Sequence, residues 1–206
     1  MKVLMINGSP HKEGCTYTAL REIEKELIKM DIDTEIVHIG IKPIRGCIGC
    51  DKCKDGRCIF NDDIVNKMLD LAEGADAYIF GSPVHYAAAS GALTSLLDRF
   101  YYAGGSIHDY KPGAAIVSCR RGGATAAFDQ LNKYFTIRNM PVVSSQYWNM
   151  VHGNTPEEVL QDLEGMQIMR TLGRNMGWLL RCIEAGKKAG IAPPQREPQI
   201  ATNFIR

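Results

Sequence analysis

Four cysteines stand within twelve residues of this chain, at Cys47, Cys50, Cys53 and Cys58. Thiolates are soft ligands, and three glycines in the same segment let the backbone wrap closely around them. Two successive two-residue spacings resemble those of compact [4Fe–4S] loops, in which four thiolates enclose a cubane. A structural zinc ion also accepts four cysteines, and thiols without metal, reduced or disulfide-forming, are a third alternative. The pattern predicts a metal or redox centre whose occupant stays open.

A second polar segment follows the apolar run at residues 3–6, which predicts a strand that ends in a phosphate-binding turn. An ATP-type loop is excluded, because five residues separate Gly8 from Gly14 and Cys15 stands where lysine is required. The dinucleotide fingerprint is absent as well. One terminal phosphate remains, as on FMN, with an ordinary strand-to-helix turn as the alternative. The predicted phosphate-binding residues are Ser9, His11, Gly14, Cys15, Thr16 and Thr18.

Composition narrows the class of protein. The chain has 206 residues, with 24 Lys plus Arg against 23 Asp plus Glu, so no basic excess predicts binding to nucleic acid or to an anionic membrane. No signal-type segment and no apolar run of membrane-spanning length is present, which predicts a cytoplasmic protein. Since disulfides are rare in that compartment, the clustered cysteines favour metal or redox chemistry.

Short apolar strands alternate with helical segments along the chain, which predicts a parallel sheet covered on both faces. We expect a doubly wound α/β fold of five strands in the order 2-1-3-4-5, forming one domain over residues 1–206, with a helical extension at 155–190 and an extended tail at 191–206. The predicted strands are 2–7, 34–39, 77–80, 114–118 and 141–144, and the predicted helices are 16–30, 63–73, 90–102 and 124–136.

In such sheets ligands bind outside the carboxyl ends of the strands, so the loops after strands one, three and four should form one pocket. An apolar and aromatic segment after strand three would lie against a planar flavin ring, with simple loop packing as the alternative for its His and Tyr. The arginines after strand four would stabilise an anionic reduced flavin. The residues predicted here are Pro83, Val84, His85, Tyr86, Ser90, Arg120, Arg121, Gly122 and Gly123.

These loops also carry a family resemblance. The segments 8–16, 81–91 and 97–99, together with the cysteine loop, resemble the NADPH-dependent FMN reductase-like branch of the flavodoxin superfamily, and within it the iron–sulfur flavoprotein type. The resemblance implies FMN, a flavodoxin-like sheet, and a homodimer or tetramer whose subunits complete each other's flavin sites. Two positions depart from the family pattern, which usually has Asn at Cys15 and Tyr at His85.

The expected function is an FMN-dependent oxidoreductase. NAD(P)H or a ferredoxin-like protein would supply electrons, and the acceptor would be a quinone, a nitro or azo compound, or a redox partner. No catalytic side chain is assigned, because hydride transfer to the flavin needs no protein acid or base. The alternatives are a non-enzymatic electron carrier like flavodoxin, and a metal or redox sensor built around the cysteine loop.

Overall fold

A computed structural model describes residues 1–198 and 200–202. Its sheet contains five parallel strands and one short antiparallel strand, β4, which pairs only with the end of β3. The parallel strands lie in the order β2-β1-β3-β5-β6, which confirms the predicted order 2-1-3-4-5. The strands are β1 (Lys2–Asn7), β2 (Asp33–His38), β3 (Ala77–His85), β4 (Ala88–Ala89), β5 (Gly113–Cys119) and β6 (Met150–His152).

Helices cover both faces of the sheet, as the sequence predicts. Successive side chains of a strand point to opposite faces of the sheet, so the hydrophobic core consists of two clusters. Leu4 and Phe80 belong to the first cluster, and Val3 and Ile79 belong to the second. The first cluster includes residues of α2, α3 and α4, and the second includes residues of α1, α5 and α6. The helices are α1 (Cys15–Ile28), α2 (Val65–Glu73), α3 (Gly91–Gly104), α4 (Ala124–Thr136), α5 (Pro156–Gln161) and α6 (Leu163–Lys188).

The position predicted for the fifth strand is wrong. Val142 makes only an isolated bridge to Gly113, and the fifth parallel strand is β6, at Met150–His152. Between them, the side-chain amide of Asn149 donates to the carbonyl of Ala115 (3.1 Å) and replaces a main-chain partner of β5. The β-branched residues at 142–143 predict extended backbone, and Val143 does donate to the carbonyl of Gly113 at the start of β5 (2.8 Å), but the ladder of three residue pairs lies at β6.

Strand β3 is longer than predicted, because Gly81, Ser82 and Pro83 pair with β5 beyond the apolar run. Pro83 is tolerated in a strand where its missing N–H is not required. The extension carries the chain to the two-residue turn before β4. The extended strand therefore holds Pro83, Val84 and His85, which are predicted to lie against the flavin ring, within the sheet.

The helical extension is broken at Asp162. Thr155 caps α5 by accepting from the amide of Glu158 (3.3 Å), and Asp162 caps α6 by accepting from the amide of Gly165 (2.9 Å). α6 packs closely along α1. Residues 191–198 and 200–202 have no helix or strand, and the rest of the predicted tail lies outside the described residues.

In the part of the chain that the structure describes, no helix combines the length and the apolar character that crossing a membrane requires.

Candidate cofactor site and cysteine loop

The three predicted loops meet at the carboxyl edge of the sheet. The amide of Gly8 donates to the carbonyl of Gly81 (2.8 Å), which joins the loop after β1 to β3. The hydroxyls of Thr16 and Ser118 lie 2.9 Å apart and join α1 to β5. A side chain at Gly8 would place its Cβ 2.8 Å from Leu93, so only glycine permits this approach. The predicted convergence is therefore present at the level of backbone and buried contacts.

Asn7 organises the loop after β1. This fully buried residue accepts from the amide of Ser9 (3.1 Å) and donates to the carbonyl of Lys12 (2.9 Å). The Ser9 hydroxyl accepts from the amide of His11 (3.1 Å), and the ring of His38 contacts the Ser9 carbonyl (2.8 Å). Sequence analysis missed Asn7 and His38. A buried asparagine at the last position of a strand was the available signal, since such a group needs several partners.

The start of α1 is suited to a phosphate. Gly14 precedes the helix, and no side chain caps it. Among the described residues, no acceptor is found for the amides of Thr16 and Tyr17. A Cβ at Gly14 would lie 2.9 Å from the Cβ of His11, so the loop closes tightly over the helix start. Unpaired amides at the positive end of the helix dipole fit a phosphate dianion.

The three side chains at the start of α1 differ in their surroundings. Thr16 is buried and contacts Ser118, whereas Thr18 donates to the Gly14 carbonyl (3.2 Å), one turn back along the chain. Burial raises the pKa of the Cys15 thiol, which keeps it protonated and able to donate. That donor already has a partner, because the Cys15 thiol donates to the carbonyl of Gly153 (3.8 Å).

The turn between β3 and β4 is strained. Tyr86 and Ala87 both have left-handed backbone, with φ of 50° and 58°, in a two-residue hairpin turn that normally selects Asn and Gly. Pro83 and Val84 are half-buried, while His85 and Tyr86 are exposed. The Tyr86 ring has 106% relative exposure, so it packs on no described residue. Strain of this kind persists where a surrounding structure or a ligand requires it.

The loop after β5 lies against this hairpin. A Cβ at Gly123, whose φ is 91°, would come within 2.5 Å of the backbone of Ala87. Arg120, Arg121 and Gly122 are exposed, and neither arginine forms an ion pair with a described residue. The two guanidinium groups therefore leave positive charge at the rim of the predicted pocket. The Ser90 amide donates to the buried hydroxyl of Ser82 (2.8 Å), which links the residue after β4 to β3.

The four cysteines of the loop line one cavity. Cys58 is buried, Cys50 and Cys53 are half-buried, and Cys47 is exposed. Burial raises the pKa of Cys53, and the nearby thiols of the other three cysteines raise it further. Among the described residues, no group of three or more His, Cys, Asp or Glu side chains is arranged to hold a metal ion. The structure thus gathers the predicted ligands without defining the occupant.

Arg99 of α3 reaches into this cavity from the protein side. Its side chain is 1% exposed, and its Nε donates to the sulfur of Cys58 (3.2 Å). The carboxylate of Asp63, itself buried, pairs with the guanidinium. Asn66 holds both the amide and the carbonyl of Cys58 (2.9 Å each). Four thiols beside a buried cation fit an anionic metal–thiolate centre. Sequence analysis used Arg99 only within the family motif and assigned it no role.

Comparison with known proteins places this geometry in a family. The family described as NADPH-dependent FMN reductase matches residues 1–155. An iron–sulfur flavoprotein of Methanocaldococcus jannaschii is 32% identical over 193 residues, covering 89% of this chain and 100% of that protein. The chain belongs to the NADPH-dependent FMN reductase family. A second member of this similarity group, an iron–sulfur flavoprotein of Archaeoglobus fulgidus, is 33% identical and covers 82% of this chain and 86% of its own length.

Solved structures support the flavodoxin-like fold of this family member. RosB in complex with a riboflavin-phosphate intermediate aligns over 100% of this chain and 92% of its own, with a TM-score of 0.72 and 14% identity. An archaeal flavodoxin aligns over 88% of this chain and 99% of its own, with a TM-score of 0.61 and 15% identity. At these identities the likeness shows the fold alone. The family match ends at residue 155, before α5, whereas the alignment with RosB covers the whole chain.

Proposed function

We propose that this protein is an FMN-dependent oxidoreductase. It takes electrons from NAD(P)H or a low-potential electron protein and passes them to a quinone, a nitro or azo compound, or a redox partner. The observation that carries the proposal is the convergence of three loops on the uncapped start of α1, at the edge where doubly wound sheets bind ligands. Membership of the FMN reductase family supports the same cofactor.

The residues around this edge would divide the work of holding FMN. Ser9, His11 and the amides that follow Gly14, beginning with that of Cys15, would bind the phosphate. Residues 83–86 would supply an apolar and aromatic wall, and residues 120–123 would add positive charge. When bound, FMN supplies the capacity to accept hydride and to transfer single electrons. The protein binds it, orients it and stabilises negative charge.

The cysteine loop would hold a [4Fe–4S] cluster through Cys47, Cys50, Cys53 and Cys58. Its donor set fits, and two relatives carry the name iron–sulfur flavoprotein. Helix α3 connects the loop to the candidate flavin site, because it begins directly after the hairpin and carries Arg99 to Cys58. Nine residues of helix from Ser90 to Arg99 span about 14 Å, so one rigid element connects the two regions.

Anaerobic purification followed by flavin, iron and sulfide analysis tests both cofactors. We expect one FMN and a four-iron, four-sulfide cluster per chain, in keeping with four-thiolate ligation. Cys50→Ala should abolish the iron and leave FMN bound, because the phosphate loop lies elsewhere. One zinc per chain would replace the cluster with a structural site. Protein that holds metal without flavin would contradict the oxidoreductase and favour a sensor.

Stopped-flow reduction separates an enzyme from a carrier. Rapid bleaching of the flavin by NAD(P)H, followed by turnover with a quinone, supports the enzyme. In Cys50→Ala, reduction by reduced ferredoxin should slow more than reduction by NAD(P)H, since the nicotinamide reaches the flavin directly. Flavin that NAD(P)H cannot reduce, but that exchanges electrons with ferredoxin, would identify a non-enzymatic carrier.

We further propose that residues 1–206 act as one FMN-binding domain, in the cytoplasm, as a homodimer or tetramer. Near-balanced charge supports small molecules and proteins as partners, with no role for nucleic acid or a membrane surface. Fractionation of the native host with antibodies against the chain tests the location. Recovery of the protein in a membrane or extracellular fraction would contradict it.

A further inference from the structure

The guanidinium of Arg99 ties together both ends of the cysteine loop. Its Nη1 donates to the carbonyl of Arg45 (3.2 Å), which precedes Cys47, and its Nη2 donates to the carbonyl of Phe60 (3.0 Å), which follows Cys58. The same group pairs with Asp63 and donates through Nε to the sulfur of Cys58. A single side chain anchored on α3 therefore fixes the entry, one ligand and the exit of the loop.

The other contacts of the guanidinium leave Nε of Arg99 to donate to a single sulfur, that of Cys58. The carboxylate of Asp63 balances the buried charge, and two backbone carbonyls occupy the terminal nitrogens. Only a planar fork with several N–H groups can serve these partners simultaneously, and lysine lacks that geometry. The remaining N–H direction meets Cys58, the most deeply buried thiol of the four. This is more than loop packing requires, because a thiol needs no donor in order to pack.

We propose that Arg99 is a positioning residue for the centre held by the cysteine loop. It orients the sulfur of Cys58 and, by donating a hydrogen bond to that thiolate, raises the reduction potential of the centre. The inference rests on the proposed iron–sulfur cluster. Hydrogen bonds to ligand sulfurs stabilise the more negatively charged reduced state, which is one of the factors that set cluster potentials.

A potentiometric titration tests this proposal on the anaerobically purified holoprotein, with dithionite as reductant and electron paramagnetic resonance as the readout. Arg99→Lys keeps a positive charge beside Asp63 and loses the Nε donor. We expect an FMN content near that of the wild type and a more negative cluster potential. The matched control is Arg45→Lys. The exposed guanidinium of Arg45 lies 4.5 Å from the ring centroid of Phe60 and forms no hydrogen bond with the four cysteines. It should keep the wild-type potential.

A wild-type potential in Arg99→Lys, or an equal shift in Arg45→Lys, would overturn the proposal. If Arg99→Lys loses its iron, nitrogen-15 NMR of the metal-free protein decides. The Arg99 Nε–H resonance should exchange slowly with solvent and should move in Cys58→Ala but not in Cys47→Ala. If the chemical shift of the Arg99 Nε–H is the same in Cys58→Ala as in the wild type, the contact is refuted. Wild-type protein without iron or sulfide would instead refute the cluster, and the NMR result would still report on Arg99 and Cys58.

Discussion

At the scale of single residues, buried polar groups hold the loops while exposed ones remain available to a ligand. Thr16 belongs to the buried groups, and its hydroxyl lies 2.9 Å from that of Ser118 in an arrangement where either group can donate. If Ser118 donates, the hydroxyl hydrogen of Thr16 is free for the phosphate. The predicted phosphate contact of Thr16 therefore stays a prediction.

Thr16→Ala should weaken FMN binding by about tenfold to a hundredfold, the worth of a charge-assisted hydrogen bond of roughly 1.5–3 kcal/mol. Riboflavin lacks the phosphate and should bind to the variant almost as it binds to the wild type. Fluorescence titrations with both flavins measure the difference. Ser118→Ala serves as the control, with a smaller effect on FMN. Equal weakening of FMN and riboflavin would remove Thr16 from the phosphate site.

His108 predicts a pH dependence of stability. The residue is fully buried between Tyr78 and the carbonyl of Phe100, and burial lowers its pKa from 6.5 to about 4. Below pH 6.5 the unfolded chain binds a proton that the native state does not, so stability falls as the pH drops from 6.5 to 4. The loss should reach about 3 kcal/mol at the acidic end of this window.

Urea unfolding at pH 7.5, 6 and 4.5 measures this loss. His108→Gln should flatten the dependence between pH 6.5 and 4. A dependence that survives in His108→Gln would assign the effect to other groups.

At the scale of elements, α6 approaches α1 through glycine. A Cβ at Gly173 would lie 2.9 Å from the carbonyl oxygen of Ile23 and 2.9 Å from the Cβ of Glu26. The Cβ at Gly186 would meet nothing closer than 3.8 Å, at Ile191. Two glycines of one helix thus have opposite surroundings.

Gly173→Ala should destabilise the protein by about 1–3 kcal/mol, because the backbone of α1 must move. Gly186→Ala should stabilise it by up to about 1 kcal/mol, since alanine is the better helix former and nothing opposes it. Thermal and urea unfolding of the two variants provide the comparison. Equal effects of the same sign would contradict close packing of α6 on α1.

The strained turn between β3 and β4 predicts that a variant can gain folding stability while it loses FMN affinity. Tyr86→Asn combined with Ala87→Gly suits the left-handed turn and should raise the free energy of unfolding of FMN-free protein by about 1 kcal/mol. The same double variant should bind FMN more weakly, because the aromatic wall is lost. Ala87→Gly alone is the control and should keep the affinity. Full FMN affinity in the double variant would exclude Tyr86 from the flavin site.

At the scale of the whole molecule, large aromatic side chains remain exposed near the functional regions. Tyr86 is fully exposed, and Tyr102, Tyr147 and Trp148 have 51%, 55% and 52% relative exposure. Tyr102 borders the cysteine cavity, and the rings of Tyr147 and Trp148, beside β6, lie tilted to each other by 58° with centroids 4.9 Å apart. Exposed apolar clusters of this kind usually mark interfaces.

We therefore expect a homodimer or a dimer of dimers at micromolar concentration, measured by light scattering. Trp148→Glu should weaken the assembly, whereas Trp178→Glu, on the exposed face of α6, serves as the comparison. A monomeric wild-type protein that still holds FMN would contradict the expectation.

Local pattern was enough to determine the architecture and the candidate ligands of this protein. Apolar runs of strand length separated by helical periods predict a doubly wound sheet, because each element must bury one face. The spacing of Cys47, Cys50, Cys53 and Cys58, and the glycines around residue 14, are likewise local. Such features depend on neighbours along the chain, so they are visible without knowledge of the fold.

The tertiary structure decided what depends on contacts between distant residues. Strand β6 forms at Met150–His152, where the chain pairs with the end of β5, and Arg99 reaches Cys58 across 41 positions of sequence. The pairing of Thr16 with Ser118 spans 102 positions. A side chain's partner across such a separation is set by how helices pack on the sheet, and neither composition nor periodicity encodes that packing residue by residue.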